Sequence, residues 1–170
     1  MQAKGFLMGG TAGRTTLAGE GLQHQDGDSL IVANTIPNCV SYDPTYAYEL
    51  AVILREGMRR MYENMESVFY YITLMNENYI HPAIPKGAEE GIIKGMYPLK
   101  VVGESKIEVQ LLGSGAILRE VEKAADMLAK DWALCLMFGV LLVLMRLQER
   151  LKKLIVKIYL VQVKIRRFHT

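Results

Sequence analysis

Ser67–Thr73 (SVFYYIT) is a run of β-branched and aromatic residues with almost no polar interruption. A strand with one face in water alternates apolar and polar side chains, so a run apolar at both parities needs cover on both faces. Such cover is the mark of a parallel strand, because parallel neighbours are joined by crossover segments that lie on the faces of the sheet. Gly5–Met8, Leu30–Ala33, Cys39–Tyr42 and Lys106–Gly113 read as further strands. Helical patterns fall between them. Asp43-Pro44 signals a helix start, with Asp capping free N–H groups and Pro fitting the first turn. Ala47, Leu50, Ala51, Leu54, Met58 and Met61 then recur at helical spacing to about Tyr62. Ala88–Gly95 reads as a short helix. Ser114 reads as the cap of another, whose Ile117, Val121, Ala125 and Leu128 share one face. Strands alternating with helices predict an α/β fold with a mostly parallel sheet.

The 170 residues are 51% apolar, enough to build a core. Two cysteines, Cys39 and Cys135, with no CxxC spacing, point to a reducing compartment rather than a disulfide scaffold. No basic, apolar leader opens the chain. The net charge of +2 hides an asymmetry: Met1–Trp132 carries net −5, and Ala133–Thr170 carries net +7. A swing that abrupt marks a boundary.

Gly13–Gly27 (GRTTLAGEGLQHQDG) places His24 among the acids Glu20, Asp26 and Asp28 in a glycine-rich loop behind the first strand. Loops at strand ends of α/β folds are where ligands sit. An imidazole with an ordinary pKa of ~6.5 exchanges protons near neutrality. On the residues alone, His24 reads as a solvent-facing loop histidine. No helical His pair or Cys cluster turns His24, His81, Asp26 and Asp28 into a metal site. His81 precedes Pro82 in a loop and reads as exposed. Gly9–Thr15 (GGTAGRT) lacks the lysine and glycine spacing of a phosphate loop. Nucleic acid is not an expected partner, since the basic residues of the tail are interleaved with aliphatics rather than stacking aromatics.

Gly13–Gly27, Thr35–Val52 (TIPNCVSYDPTYAYELAV), Tyr70–Tyr79 (YYITLMNENY), Pro85–Gly95 (PKGAEEGIIKG) and Val109–Arg119 (VQLLGSGAILR) resemble, in order, the homodimeric type of pyruvate dehydrogenase. That family is the thiamine-diphosphate-dependent first component of the pyruvate dehydrogenase complex. The resemblance covers Gln2–Trp132 and only a small internal piece of the family's large subunit. It implies a partial transketolase-like fold. Residues 1–100 look like the second half of the pyrimidine-binding domain, and 101–132 like the opening of the C-terminal domain. In the intact family it implies decarboxylation of pyruvate, transfer of the acetyl unit to a lipoyl-bearing acetyltransferase, a homodimer and a cytoplasmic setting. His24 matches the histidine near the reacting end of the cofactor, and Glu20 the acid of the same motif. Tyr42, Asp43 and Tyr46 match a segment facing the active-site region; packing and capping of a helix is an equal reading for them. Where the family commonly reads DGHSH, this chain has Asp26-Gly27-Asp28-Ser29-Leu30. The family's diphosphate and magnesium motif, and the glutamate that activates its cofactor, have no counterpart here. The resemblance therefore implies that this chain alone binds no thiamine diphosphate and is inactive.

The resemblance stops at Trp132. Ala133–Met145 (ALCLMFGVLLVLM) is apolar but short of the ~20 residues needed to span a bilayer. With synonymous codons chosen freely, Leu136–Arg150 regroups one base over into DVWSATSFNEIARE, which is similar to the family's continuation. Residues 133–170 are thus expected to be a frameshift product, an aberrant helical, apolar and basic tail. The alternative is a non-enzymatic peptide binding a membrane or a partner through that tail.

Overall fold

The computed structural model describes residues 3–9, 28–75, 77–104 and 108–142. They form two three-stranded sheets in succession. The first takes β1 (Phe6–Gly9), β2 (Cys39–Tyr42) and β3 (Phe69–Thr73) in the order β1-β3-β2, all parallel. Register pairs Gly9 with Thr73 on one side and Tyr42 with Ile72 on the other. β3 is thus the central strand, and Tyr70 and Ile72 are buried.

α1 (Ser29–Thr35) occupies the stretch whose Leu30–Ala33 reads as a strand. The correction has a topological cause. β1 and β2 both run parallel to β3, so the chain must return to the starting edge between them, and a helix carries that crossover. The Val32 N–H donates to Asp28 O at 2.9 Å, closing the first turn. Only Ala33 of this helix is buried.

α2 (Ala47–Met58) follows β2 and runs into one π-helical turn, Arg59–Glu63. It begins later than Asp43-Pro44 suggests. The Glu49 carboxylate reaches back and takes the N–H groups of Thr45 and Tyr46 at 2.6 and 2.9 Å. With those free donors met from inside the helix, Asp43 is released for other contacts. α2 crosses the sheet closely at Gly57, where an added Cβ would lie 2.6 Å from the Phe6 ring and 3.2 Å from that of Tyr70. Gly57→Val should therefore lower the urea midpoint, by about 1–3 kcal/mol of stability, despite the better helix propensity of valine.

α3 (Glu89–Lys94) is short and ends at Gly95, whose φ of 95° is the left-handed stop that glycine supplies. The second sheet takes β4 (Met96–Val102), β5 (Glu108–Gly113) and β6 (Cys135–Leu141) in the order β4-β6-β5. β6 runs antiparallel to β4 and parallel to β5. Ser114 does not cap the following helix with its side chain. A 3-10 turn, Gly115–Ile117, leads into α4 (Leu118–Trp132), and Ala133, at φ 49°, turns the chain back.

The expected helical tail is a strand where the structure describes it. Leu136, Phe138, Val140 and Leu142 are buried at every second position. Strand periodicity plus hydrogen-bonding neighbours on both sides explain the change. The tail beyond Leu142 lies outside the described residues. Among the described residues no helix is long and apolar enough to cross a membrane.

One core joins the two sheets. Val40, Tyr42, Tyr70 and Ile72 from the first meet Tyr97, Val140 and Leu142 from the second, with Ile53 of α2, Met61 of the π-helical turn and Leu118 of α4. Each such side chain contributes roughly 1.5–3 kcal/mol by leaving water. A smaller cluster, Ala125, Leu136 and Phe138, sits beneath α4.

Candidate functional site

The carboxyl-terminal ends of β1, β2 and β3 lie side by side, the edge at which open α/β sheets hold their ligands. The segment carrying Glu20 and His24 follows β1 in the sequence. Both residues lie outside the described residues, as do Asp26 and the glycine-rich segment before them. Asp28 is described, exposed, at the N-terminus of α1.

Tyr42 and Asp43, expected near the substrate, stand at the end of β2. Tyr42 is 3% exposed and its hydroxyl donates to Ile93 O at 2.7 Å. Its ring lies parallel to that of Tyr70 at 6.2 Å. Asp43 is half-buried and receives two hydroxyl donors: Thr73 to Oδ1 at 2.6 Å and Ser114 to Oδ2 at 2.9 Å. Its backbone N–H donates to Leu142 O at 2.9 Å. A Cβ at Gly115 would lie 2.8 Å from both carboxylate oxygens, and the φ of +50° there favours glycine. Thr45 Oγ1 donates to Gly115 O at 2.9 Å. Thus the Gly113-Ser114-Gly115 turn of the second sheet closes around an aspartate of the first. Sequence reasoning missed Thr73 and Ser114 because their partner is distant in the chain.

Behind this edge lies a tyrosine cluster. Glu49 is fully buried; besides its two backbone donors it accepts the Tyr97 hydroxyl on Oε1. The Tyr48 and Tyr97 hydroxyls share a hydrogen bond. Burial pushes the Glu49 carboxyl above the usual carboxylate range, against the pull of its donors. Burial also raises Tyr97 far above an ordinary phenol and Tyr48 to about 12. None of these phenols exchanges protons near neutrality, so the cluster positions backbone rather than performing acid–base chemistry. A glutamate on the helix face shared with buried Val52 and Ile53 was the available clue to it.

Tyr79 borders the cluster. Its hydroxyl donates to Thr45 O, and burial raises its pKa to about 12. The His81 ring stacks on it at 4.6 Å, and the Arg119 guanidinium lies 4.6 Å from its centroid. His81 is exposed, as its loop position suggests, and its Nδ1 accepts the Ala47 N–H at 3.1 Å. Arg119 also pairs with Glu77 at 2.8 Å. Tyr79 and Arg119 border a cleft of about 550 Å³ between the Asn78–Ile80 segment and α4. Its lining mixes Lys100, Arg119 and Lys123 with Glu122 and Asp126, so neither charge sign dominates. Among the described residues no three His, Cys, Asp or Glu side chains gather as a metal set.

Comparison with known proteins gives this geometry a family. Residues 1–82 match the model of the pyruvate dehydrogenase E1 component middle domain. The pyruvate dehydrogenase E1 component of Pseudomonas aeruginosa is 67% identical over 134 residues, covering 78% of this chain and 15% of the relative. That of Escherichia coli K12 is 65% identical over 132 residues, covering 77% of this chain and 15% of the relative. The chain thus spans about 15% of the length of these curated relatives. Among solved structures, a transketolase from Campylobacter jejuni aligns with TM-score 0.56 and 15% identity, over 85% of this chain and 21% of that one. A transketolase from Pichia stipitis aligns with TM-score 0.55 and 17% identity, over 72% of this chain and 17% of that one. At such identities the likeness establishes the α/β transketolase-like fold alone. By its sequence relatives, and on that fold, the chain belongs to the pyruvate dehydrogenase E1 component family, as a segment of it.

Proposed function

We propose that this chain is an internal segment of a thiamine-diphosphate-dependent pyruvate dehydrogenase and does not turn over pyruvate by itself. The observation carrying this reading is the 67% identity confined to about 15% of the relative's length. In the intact enzyme, pyruvate would be decarboxylated on the cofactor and the acetyl unit passed to a lipoyl-bearing acetyltransferase, within a cytoplasmic homodimer. His24 would exchange protons at the reacting end of the cofactor, with Glu20 in the acidic network beside it. Tyr42 and Asp43 would border the substrate region. Their hydrogen bonds favour a supporting role, in which Asp43 fixes the edge at which β1 ends.

The described residues do not fit the diphosphate and magnesium end of the cofactor. They hold no cluster of metal-ligating side chains, and the Asp43 carboxylate is engaged by Thr73 and Ser114. Residues 1–100 would supply the second half of the pyrimidine-binding domain, 101–132 the start of the C-terminal domain, and 133–170 a frameshifted continuation. The nucleotide sequence across Trp132–Ala133 tests the last point. A second frame that does not continue the family pattern would refute it.

Two measurements test the function. Purified chain with pyruvate, thiamine diphosphate and magnesium should release no carbon dioxide above background; turnover would overturn the inactivity. Gln2–Trp132 exchanged for its counterpart in the Pseudomonas aeruginosa relative should give an active chimera. His24→Ala in that chimera should then lower kcat by ~10²-fold or more. An active chimera indifferent to His24 would remove the residue from the chemistry.

A further inference from the structure

The second sheet has one covered face and one open face. α4 covers the side bearing Leu136 and Phe138. The other side is open to solvent, with Met96 41% exposed, Val101 56%, Leu112 49% and Met137 40%. The register sets its side chains in rows across β6: Val101 and Gln110 both pair with Met137, and Pro98 and Leu112 both pair with Gly139. A Cβ at Gly139 would lie 3.0 Å from Tyr97 O and 3.4 Å from the Leu112 side chain, so glycine keeps a notch open beside Met137 on the middle strand. The groove here encloses about 500 Å³, and none of the side chains lining it is charged. An exposed apolar face of this kind marks an interaction surface.

We propose that the occupant of this face is a second copy of the chain, packed sheet on sheet about a two-fold axis. Three observations select it. First, the face is self-complementary. An axis between the two sheets, perpendicular to β6 and level with Phe138, sets Met137 of each copy over Gly139 of the other. The same rotation lays Val101, in the Met137 row, over Pro98, in the Gly139 row. A knob and a notch two residues apart on one strand suit an isologous interface, in which every contact is made twice. Second, the charge pattern permits it. Across a two-fold axis a charged side chain meets its own kind, and the lining of this groove carries no charge to repel. Third, the area fits a reversible dimer. Three strands about 4.8 Å apart and about 20 Å long present a patch of roughly 300 Å² in projection. A permanent interface takes about 800 Å² from each partner, so this one should form and dissolve with concentration. The pair is a sandwich of two sheets about 10 Å apart, with one α4 on each outer face. The face is turned away from α4 and the cleft beside it, so the association stands or falls independently of the chemistry proposed above.

The test uses the full chain. Sedimentation velocity across the micromolar range should show the mass rising with concentration to twice that of the monomer and no further. Met137→Lys places a positive charge from each copy near the axis, while in the monomer the ammonium reaches water. It should weaken the dimer at least tenfold and leave the urea midpoint unchanged. Val101→Lys, at the most exposed of these positions, takes its place if the first variant loses its cooperative transition. A photo-reactive benzophenone amino acid at Met137, in a mixture of ordinary and 15N-labelled chain, should join the two kinds of chain at β6. A chain that stays monomeric throughout would overturn the proposal, as would a dimer that the lysine variants leave intact or a mass that grows past the dimer. Crosslinks confined to one chain would make the chain's own residues the cover and overturn it too. Association that arises only with phosphatidylserine vesicles would assign the face to a membrane instead.

Discussion

Glu49→Ala should nearly abolish the fold. Three buried donors would lose their acceptor together: the N–H groups of Thr45 and Tyr46 and the hydroxyl of Tyr97. A buried donor left unmet costs about 1–3 kcal/mol, so the sum reaches the scale of ~5–15 kcal/mol that holds a domain together. Urea unfolding should show a collapsed or absent transition. Glu49→Gln separates the charge from the hydrogen bonds. One amide oxygen accepts both backbone donors, and the amide nitrogen donates to the Tyr97 oxygen, which then donates to Tyr48. The glutamine variant should keep a cooperative transition, with a loss of about 1–2 kcal/mol.

The same pair of variants gives a pH test. Burial raises the Glu49 carboxyl in the folded state above its ordinary value of about 4.3. Folding therefore favours the protonated acid. The contribution is complete below the ordinary value and is lost as pH rises through the folded one. Glutamine does not titrate. Wild type should lead Glu49→Gln by the most near pH 4, and the lead should shrink toward neutrality. Urea midpoints from pH 4 to 8 measure it; a lead that grows with pH would mean the carboxylate, not the acid, is the stabilised form. Tyr97, Tyr48 and Asp43 face the same group and should be present unchanged in both proteins.

Gly115→Ala is the second large effect. The new methyl would sit 2.8 Å from both oxygens of Asp43, at a backbone φ of +50°. Strain and displacement together should cost about 2–4 kcal/mol. A double-mutant cycle with Asp43→Ala separates the two causes. Removing the carboxylate should relieve the steric part, giving a coupling of at least about 1 kcal/mol, while the backbone strain persists. Strict additivity in thermal melts would show that the turn does not press on Asp43.

Legibility in the sequence followed whether a residue's partner was near it in the chain. β3 was readable because its apolar run needs cover on both faces, and the short helix ending at Gly95 because that glycine is a local stop. β4 was not, since Pro98 and Lys100 spoil the pattern of a strand. Its register shifts between those two residues, which is where a sheet tolerates proline. β6 was hidden inside a longer apolar run that suits a helix equally well. At the candidate site, Tyr42 and Asp43 were singled out, but not what they hold. The Thr73 and Ser114 donors lie 30 and 71 residues away from Asp43, and no local periodicity reports contacts of that span. Glu49 was read only as part of a motif, although a carboxylate on a buried helix face demands donors.

In both sheets the strand made last is the one in the middle. β1 and β2 do not touch until β3 enters between them, and β4 and β5 wait in the same way for β6. Among the described residues the first two strands of each sheet share no hydrogen bonds, so that pair does not hold together before its middle strand is made. The chain should consolidate on the ribosome in two abrupt steps, the first once Thr73 has emerged and the second once Leu141 has. A ribosome stalled between them would hold a finished first sheet beside two unpaired strands, and that nascent chain would be the species most exposed to chaperones and to aggregation.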